Sequence, residues 1–166
     1  RVLTVMREMG YRPNRVARRL RTREGTSHLM GLIIPNIQNP FFADLARGVE
    51  DVAYKNNYAV LLCNYDEDEA KERFYLDVMQ SESVDGIILP PIHETDRAVL
   101  QVVRQGIPVV CVDRSLSSGK LDKVEVDSHS GALQAVRHLI GRGHRRIGLI
   151  GGPANSSTGR ERTRGY

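Results

Sequence analysis

From residue 29 onward the chain alternates short, nearly all-apolar runs with stretches whose apolar residues recur every three to four positions. Few folds accept that pattern. The runs 29–34, 59–63, 86–89 and 109–112 read as strands, with a short fifth at 124–126 and another at 147–150. Between them, 41–57, 67–80, 96–105 and 130–140 read as helices, and 158–166 as the opening of one more. In the first helix Phe42, Leu45, Val49, Val52 and Ala53 are expected to face inward. Strands of four to six residues with almost no polar position must be covered on both faces, which means a parallel sheet wrapped by its crossover helices. The fold class expected is therefore α/β, a doubly wound parallel sheet, in which ligands bind at the carboxyl ends of the strands.

The first 25 residues differ from this body. They hold eight arginines against Glu8 and Glu24, so a chain of net charge +4 carries a slightly acidic remainder. Val2, Val5, Met6 and Met9 recur at helical spacing before Gly10, as at the end of a helix. Pro13 then suits the first turn of a second helix, where no amide donor is needed. That helix, 14–20, is too short to be stable alone in water. Its Val16, Ala17 and Leu20 form one apolar stripe flanked by Arg15, Arg18 and Arg19, and 24–27 reads as a linker. A basic arm on a mildly acidic body is the footprint of a nucleic-acid-binding appendage, although a solvated charged tail gives the same composition. No apolar run approaches the length of a membrane helix, and the arginine-rich start is no signal peptide. Cys63 and Cys111 sit inside apolar runs and read as small buried hydrophobes of a reducing compartment.

Three strand ends carry unusual residues. After the first strand, Asn39 offers a donor and an acceptor, and Phe41 and Phe42 offer flat rings suited to the C–H face of a sugar; they equally suit a helix cap and core. After the fourth, adjacent Asp113 and Arg114 suit vicinal hydroxyls, or a surface ion pair. The third is the polar stretch 156–162, entering a helix, which could supply hydroxyls and a cation or be a solvated loop. Other chemistries lack their residues. There is no dinucleotide or phosphate-loop glycine pattern, no nucleophile elbow, and no metal spacing among the five histidines. The acids 66–69 have Lys71 where a calcium loop needs glycine, and read as solvated helix-start residues. No metal, cofactor or enzymatic activity is expected.

Several segments resemble, in order and over nearly the whole chain, the LacI/GalR family of regulators: Gly10-Tyr11-Arg12-Pro13-Asn14, the run 15–20, Gly31 to Pro35, Asn39-Pro40-Phe41-Phe42, Val84-Asp85-Gly86, 141–147 and 159–166. The resemblance implies the end of a helix-turn-helix headpiece over 1–12 and a hinge helix with its linker over 13–27. It further implies an effector-binding N-subdomain over 28–143 and the start of a C-subdomain over 144–166, in a periplasmic-binding-protein-like core of type I that is incomplete here. About half the family's length is present, with the earlier headpiece helices and most of the second subdomain outside it. By the same resemblance the hinge helices of a homodimer lie in the minor groove of double-stranded operator DNA. Asn14, Arg15, Ala17, Arg18, Leu20 and Arg21 would then be the DNA-binding residues, Leu20 as the wedge between base pairs and Ala17 at the close contact. The effector residues implied are Asn39, Phe41, Phe42, Asp113, Arg114, Thr158 and Arg162. This set is similar to the ribose-binding branch of the family. Purine-binding members have tryptophan where this chain has Arg114 and arginine where it has Ser156. A cytoplasmic, sugar-controlled repressor is the expectation; the rival, a secreted sugar receptor of a transport system, would have no use for the arginine-rich hinge.

Overall fold

The computed structural model describes residues 5, 8, 9, 26–117, 121–153 and 155–166. Residues 10–25, which hold Asn14, Arg15, Ala17, Arg18, Leu20 and Arg21 of the expected hinge over 13–27, lie outside the described residues. Of the helix expected at the N-terminus, one bond is described, from the Met9 amide to the Val5 carbonyl at 2.9 Å.

Among the described residues five parallel strands form one sheet: β1 (Leu29–Ile34), β2 (Ala59–Asn64), β3 (Gly86–Leu89), β4 (Val109–Val112) and β5 (Asp122–Val124), in the order β2-β1-β3-β4-β5. The connecting helices are α1 (Pro40–Lys55), α2 (Glu69–Ser81) and α3 (Arg97–Arg104), followed by α4 (Ser128–Gly141) and α5 (Ser157–Gly165). Because side chains alternate across a strand, β1 feeds two cores. Leu32 and Ile34 pack with Phe42, Leu45 and Val49 of α1 on one face. Ile33 packs with Leu76 and Met79 of α2 and Val99 and Val102 of α3 on the other. Gly31 permits that second approach, since a Cβ there would sit 2.7 Å from the Met79 sulfur.

The chain leaves β1 toward β2 on one side and returns to β3 on the other. The switch in winding direction therefore falls between the carboxyl ends of β1 and β3, where doubly wound folds bind their ligands. Helix ends obey local chemistry. The carboxylate of Asp68 accepts from the amides of Ala70 and Lys71, that of Asp96 from Ala98 and Val99, and that of Asp127 from Ser130.

Three expectations differ from the structure. Residues 147–150 form no strand, and Ile150 is fully exposed. A parallel strand needs a neighbouring strand for its amides and carbonyls, and among the described residues none pairs with this segment, whose Ile147 carbonyl instead accepts from the Tyr166 hydroxyl at 2.7 Å. The fifth strand lies at Asp122–Val124 rather than 124–126, because Val110, Cys111 and Val112 pair with Asp122, Lys123 and Val124. Val52 is 61% exposed rather than inward, sitting at the rim of the α1 stripe that Phe42, Leu45, Val49 and Ala53 define. Helices α4 and α5 pack on each other, and Gly165 allows it, since a Cβ there would collide with the carbonyl of His129.

A polar cleft at the strand ends

The apolar strand β4 leads straight into an acid and an arginine side by side, Asp113 and Arg114. Asp113 follows Val112 with a left-handed φ of 61°, its amide held by the Val124 carbonyl at 2.9 Å. That turn aims the carboxylate off the sheet into a cavity of about 530 Å3 between the β4–β5 connection and the N-terminal ends of α4 and α5. Burial raises the Asp113 carboxyl above the ordinary aspartate range, while the positive charges of Arg114 and Arg162 pull it back.

Arg114, next along, turns toward the β2–α2 connection. Its two terminal nitrogens donate to the two carboxylate oxygens of Glu67 at 2.5 and 2.8 Å, a bidentate pair. Only 13% of the Arg114 side chain is exposed. Its Nε lies 3.8 Å from Asp113 Oδ2, beyond hydrogen-bond length, and is buried without a partner. Glu67 itself has a left-handed φ of 58°, as does Asp66 at 55°, so the connection is wound to present this acid.

The far wall comes from the start of α5. The Ser156 hydroxyl caps the helix at the Gly159 amide and bonds the Thr158 hydroxyl at 2.9 Å, with both residues buried. Three ties cross to the strand-end loops: Ser115 N to Ser157 Oγ at 3.2 Å, Asn155 Nδ2 to His93 Nδ1 at 2.8 Å, and an ion pair between Arg160 and Glu94. Arg162 is exposed on the same helix.

The candidate residues are thus only partly gathered. Asp113 and Thr158 line one cavity, Arg114 flanks Asp113, and the charge of Arg162 reaches it. Asn39, Phe41 and Phe42 stand at the β1 end and are not among its lining. The Asn39 oxygen caps α1 by accepting from the Phe41 amide at 3.1 Å. Phe41 is half-exposed and meets Phe42 edge-on at 5.1 Å between centroids, while Phe42 is buried in the core beneath. Sequence reasoning missed Glu67, Glu94, Ser157 and Arg160. The acids 66–69, read as solvated helix-start residues, divide their work: Asp68 caps α2, Asp66 meets Lys71, and Glu67 grips Arg114. The signal available was an acidic run placed immediately after a strand of a parallel sheet.

A parallel sheet with a polar, half-enclosed cleft beyond its strand ends defines a ligand-binding α/β domain. The family described as periplasmic binding proteins and sugar binding domain of LacI family matches residues 27–166, and the chain belongs to that family. It is 39% identical over 165 residues to the ribose operon repressor of Halalkalibacterium halodurans, covering 99% of this chain and 48% of that protein. Catabolite control protein A of Priestia megaterium is 38% identical over 152 residues, covering 92% of this chain and 45% of that one. The crystal structure of a periplasmic binding protein/LacI transcriptional regulator from Alkaliphilus metalliredigens, complexed with D-xylulofuranose, superposes with a TM-score of 0.72 at 33% identity, covering 83% of this chain and 50% of that one. The chain spans about half the length of the curated relatives it matches.

Proposed function

We propose that this chain is part of a transcriptional repressor whose affinity for operator DNA is set by a small sugar, a pentose such as ribose, bound in the cleft beyond β4. The observation that carries the reading is the Asp113 carboxylate, part-buried at a strand end, opening on a cavity of about 530 Å3 and flanked by two guanidinium groups. A buried acceptor of this kind needs hydroxyl donors, and arginine beside it supplies donors to the ring and hydroxyl oxygens. Phe41, half-exposed at the β1 end, offers the sugar an apolar face with Phe42 packed beneath it, and Asn39, Thr158 and Arg162 contribute polar contacts. In this reading residues 28–143 are the first effector subdomain and 144–166 the start of the second. Residues 13–27 are a hinge that joins the core to a headpiece ending at residue 12.

The complete protein works as a cytoplasmic homodimer with no enzymatic activity. Its paired hinges bind the minor groove through Asn14, Arg15, Ala17, Arg18, Leu20 and Arg21. Sugar in the cleft alters how the first subdomains meet and thereby whether the hinges pair, a coupling between two sites through one two-state element. The names of its relatives, a ribose operon repressor and a catabolite control protein among them, support this reading.

Calorimetry of the full-length protein against a panel of pentoses and hexoses tests it. At least one sugar is expected to bind, and Arg162→Ala is expected to weaken that sugar roughly ten- to a hundredfold by leaving a buried hydroxyl unpaired. Unchanged affinity in Arg162→Ala would remove Arg162 from the site.

A further inference from the structure

The charges around the cleft say more than that it is polar. Among the described residues five carboxylates line the cavity, those of Glu94, Asp113, Glu125, Asp127 and Glu161, against the cations Lys123 and Arg160. Both cations of the lining are engaged, Lys123 with Glu125 at 2.7 Å and Arg160 through one terminal nitrogen with Glu94, which leaves Arg162, outside the lining, as the further positive charge that reaches Asp113. Beside them, Glu67 holds both terminal nitrogens of Arg114. We infer that the cleft takes an uncharged polyol and rejects phosphorylated sugars, and that Glu67 and Glu94 set this preference by occupying the guanidinium groups of Arg114 and Arg160. The inference rests on the reading of the cleft as a sugar site.

A phosphate is recognised by the planar donor fork of a free guanidinium, and in Arg114 the edge formed by both terminal nitrogens is held by Glu67. Of its five N–H groups two are taken there, and the one buried without a partner, at Nε, matches a single hydroxyl or ring oxygen. The Asp113 carboxylate imposes the same selection from the other side. It only accepts, so it needs donors; a sugar hydroxyl has a proton to give, whereas a phosphate dianion adds acceptors to an acceptor and negative charge to an acidic wall. Discrimination of this sort comes from what the site makes unfavourable for the wrong ligand as well as from contacts to the right one. Glu67 thus acts as a positioning residue through Arg114, and Glu94 through Arg160.

Calorimetry of the full-length protein with D-ribose, D-xylulose and the 5-phosphate of each tests this at one fixed salt concentration. The native protein is expected to bind a free sugar at least roughly a hundredfold tighter than its phosphate. Glu67→Gln, which frees the Arg114 fork, is expected to narrow that ratio by about tenfold or more, and Glu67→Asp to keep it wide. Glu94→Gln reads the same ratio through Arg160 and decides the matter if Glu67→Gln does not fold. A native protein that binds a phosphate as tightly as the free sugar overturns the inference and leaves the sugar site standing, as does a ratio unmoved in the folded variants. Binding of none of the four compounds overturns this inference, and the sugar site falls with it only if no sugar of the pentose and hexose panel binds either.

Discussion

Glu72 shows what a single side chain reveals that its sequence position does not. It lies on α2 among residues of alternating charge, yet it is 2% exposed, with Oε1 buried and unpartnered. Desolvation first, then the facing Asp96 carboxylate, push its carboxyl up to about 9; Glu69 adds to the rise and the Ile92 amide opposes it. Folding therefore favours the protonated form, so the stability from this group is fully present below the ordinary glutamate range and is lost as pH rises toward 9. Glu72→Gln keeps the shape and carries no charge at any pH. Urea unfolding is expected to find it more stable than the native protein by pH 9, the gap widening with pH by at most about 1.4 kcal/mol per unit, with none at pH 4. A gap that does not grow from pH 5 to 9 refutes the assignment. The cleft residues divide along the same line. Asp113 was legible as a cleft residue because it directly follows an apolar strand of a parallel sheet, where such folds open their clefts, although the same acid–arginine pair also suits a surface ion pair. Glu67 was not, because its role depends on a left-handed turn that carries it 47 positions along the chain to Arg114, and no spacing rule encodes that.

Elements were legible where one physical signal dominated. Strands β1, β3 and β4 are apolar runs with no competing helical period, and they fall at the residues that the pattern marks. The segment 147–150 carries the same apolar signal without becoming a strand, because strand formation is a property of two segments and the pattern reports only one. Tyr65 illustrates a tie between elements that periodicity cannot show. It follows β2, is fully buried, takes the Ile34 carbonyl with its amide, and donates its hydroxyl to the Pro90 carbonyl at 2.9 Å. It thereby joins the ends of β2, β1 and β3 directly beneath the switch in winding direction. Tyr65→Phe leaves that carbonyl buried without a donor and is expected to cost about 1–3 kcal/mol in chemical denaturation. Amide exchange is expected to speed up at the strand ends and not in α4 or α5, which pack apart from it; a uniform change from α1 through α5 would show that the tie is not local.

At the scale of the whole molecule the sequence separates two ways of holding DNA, and they respond to different measurements. Residues 1–25 combine eight arginines with one leucine at the end of the 14–20 stripe. If the hinge inserts Leu20 between base pairs, that side chain deforms one step and releases no counterions, because it neutralises no phosphate. In the same reading Arg15, Arg18 and Arg19 lie along the backbone or in the groove and act through charge, and therefore through counterion release. In the full-length protein Leu20→Ala is accordingly expected to weaken operator binding and reduce the bend while leaving the slope of log affinity against log salt nearly unchanged. Replacing one of the arginines is expected to lower affinity for operator and random duplex alike, and to flatten that slope by about one unit for every phosphate that each subunit no longer neutralises. The sugar effect belongs to the same test. If effector binding in the cleft changes whether two hinges can pair, a saturating sugar is expected to shift native operator affinity more than random-duplex affinity, and in Leu20→Ala the two shifts are expected to converge. Titration of both duplexes at several salt concentrations, with and without sugar, separates the contributions. A Leu20→Ala protein that binds and bends operator like the native one returns the arginine-rich arm to a solvated linker.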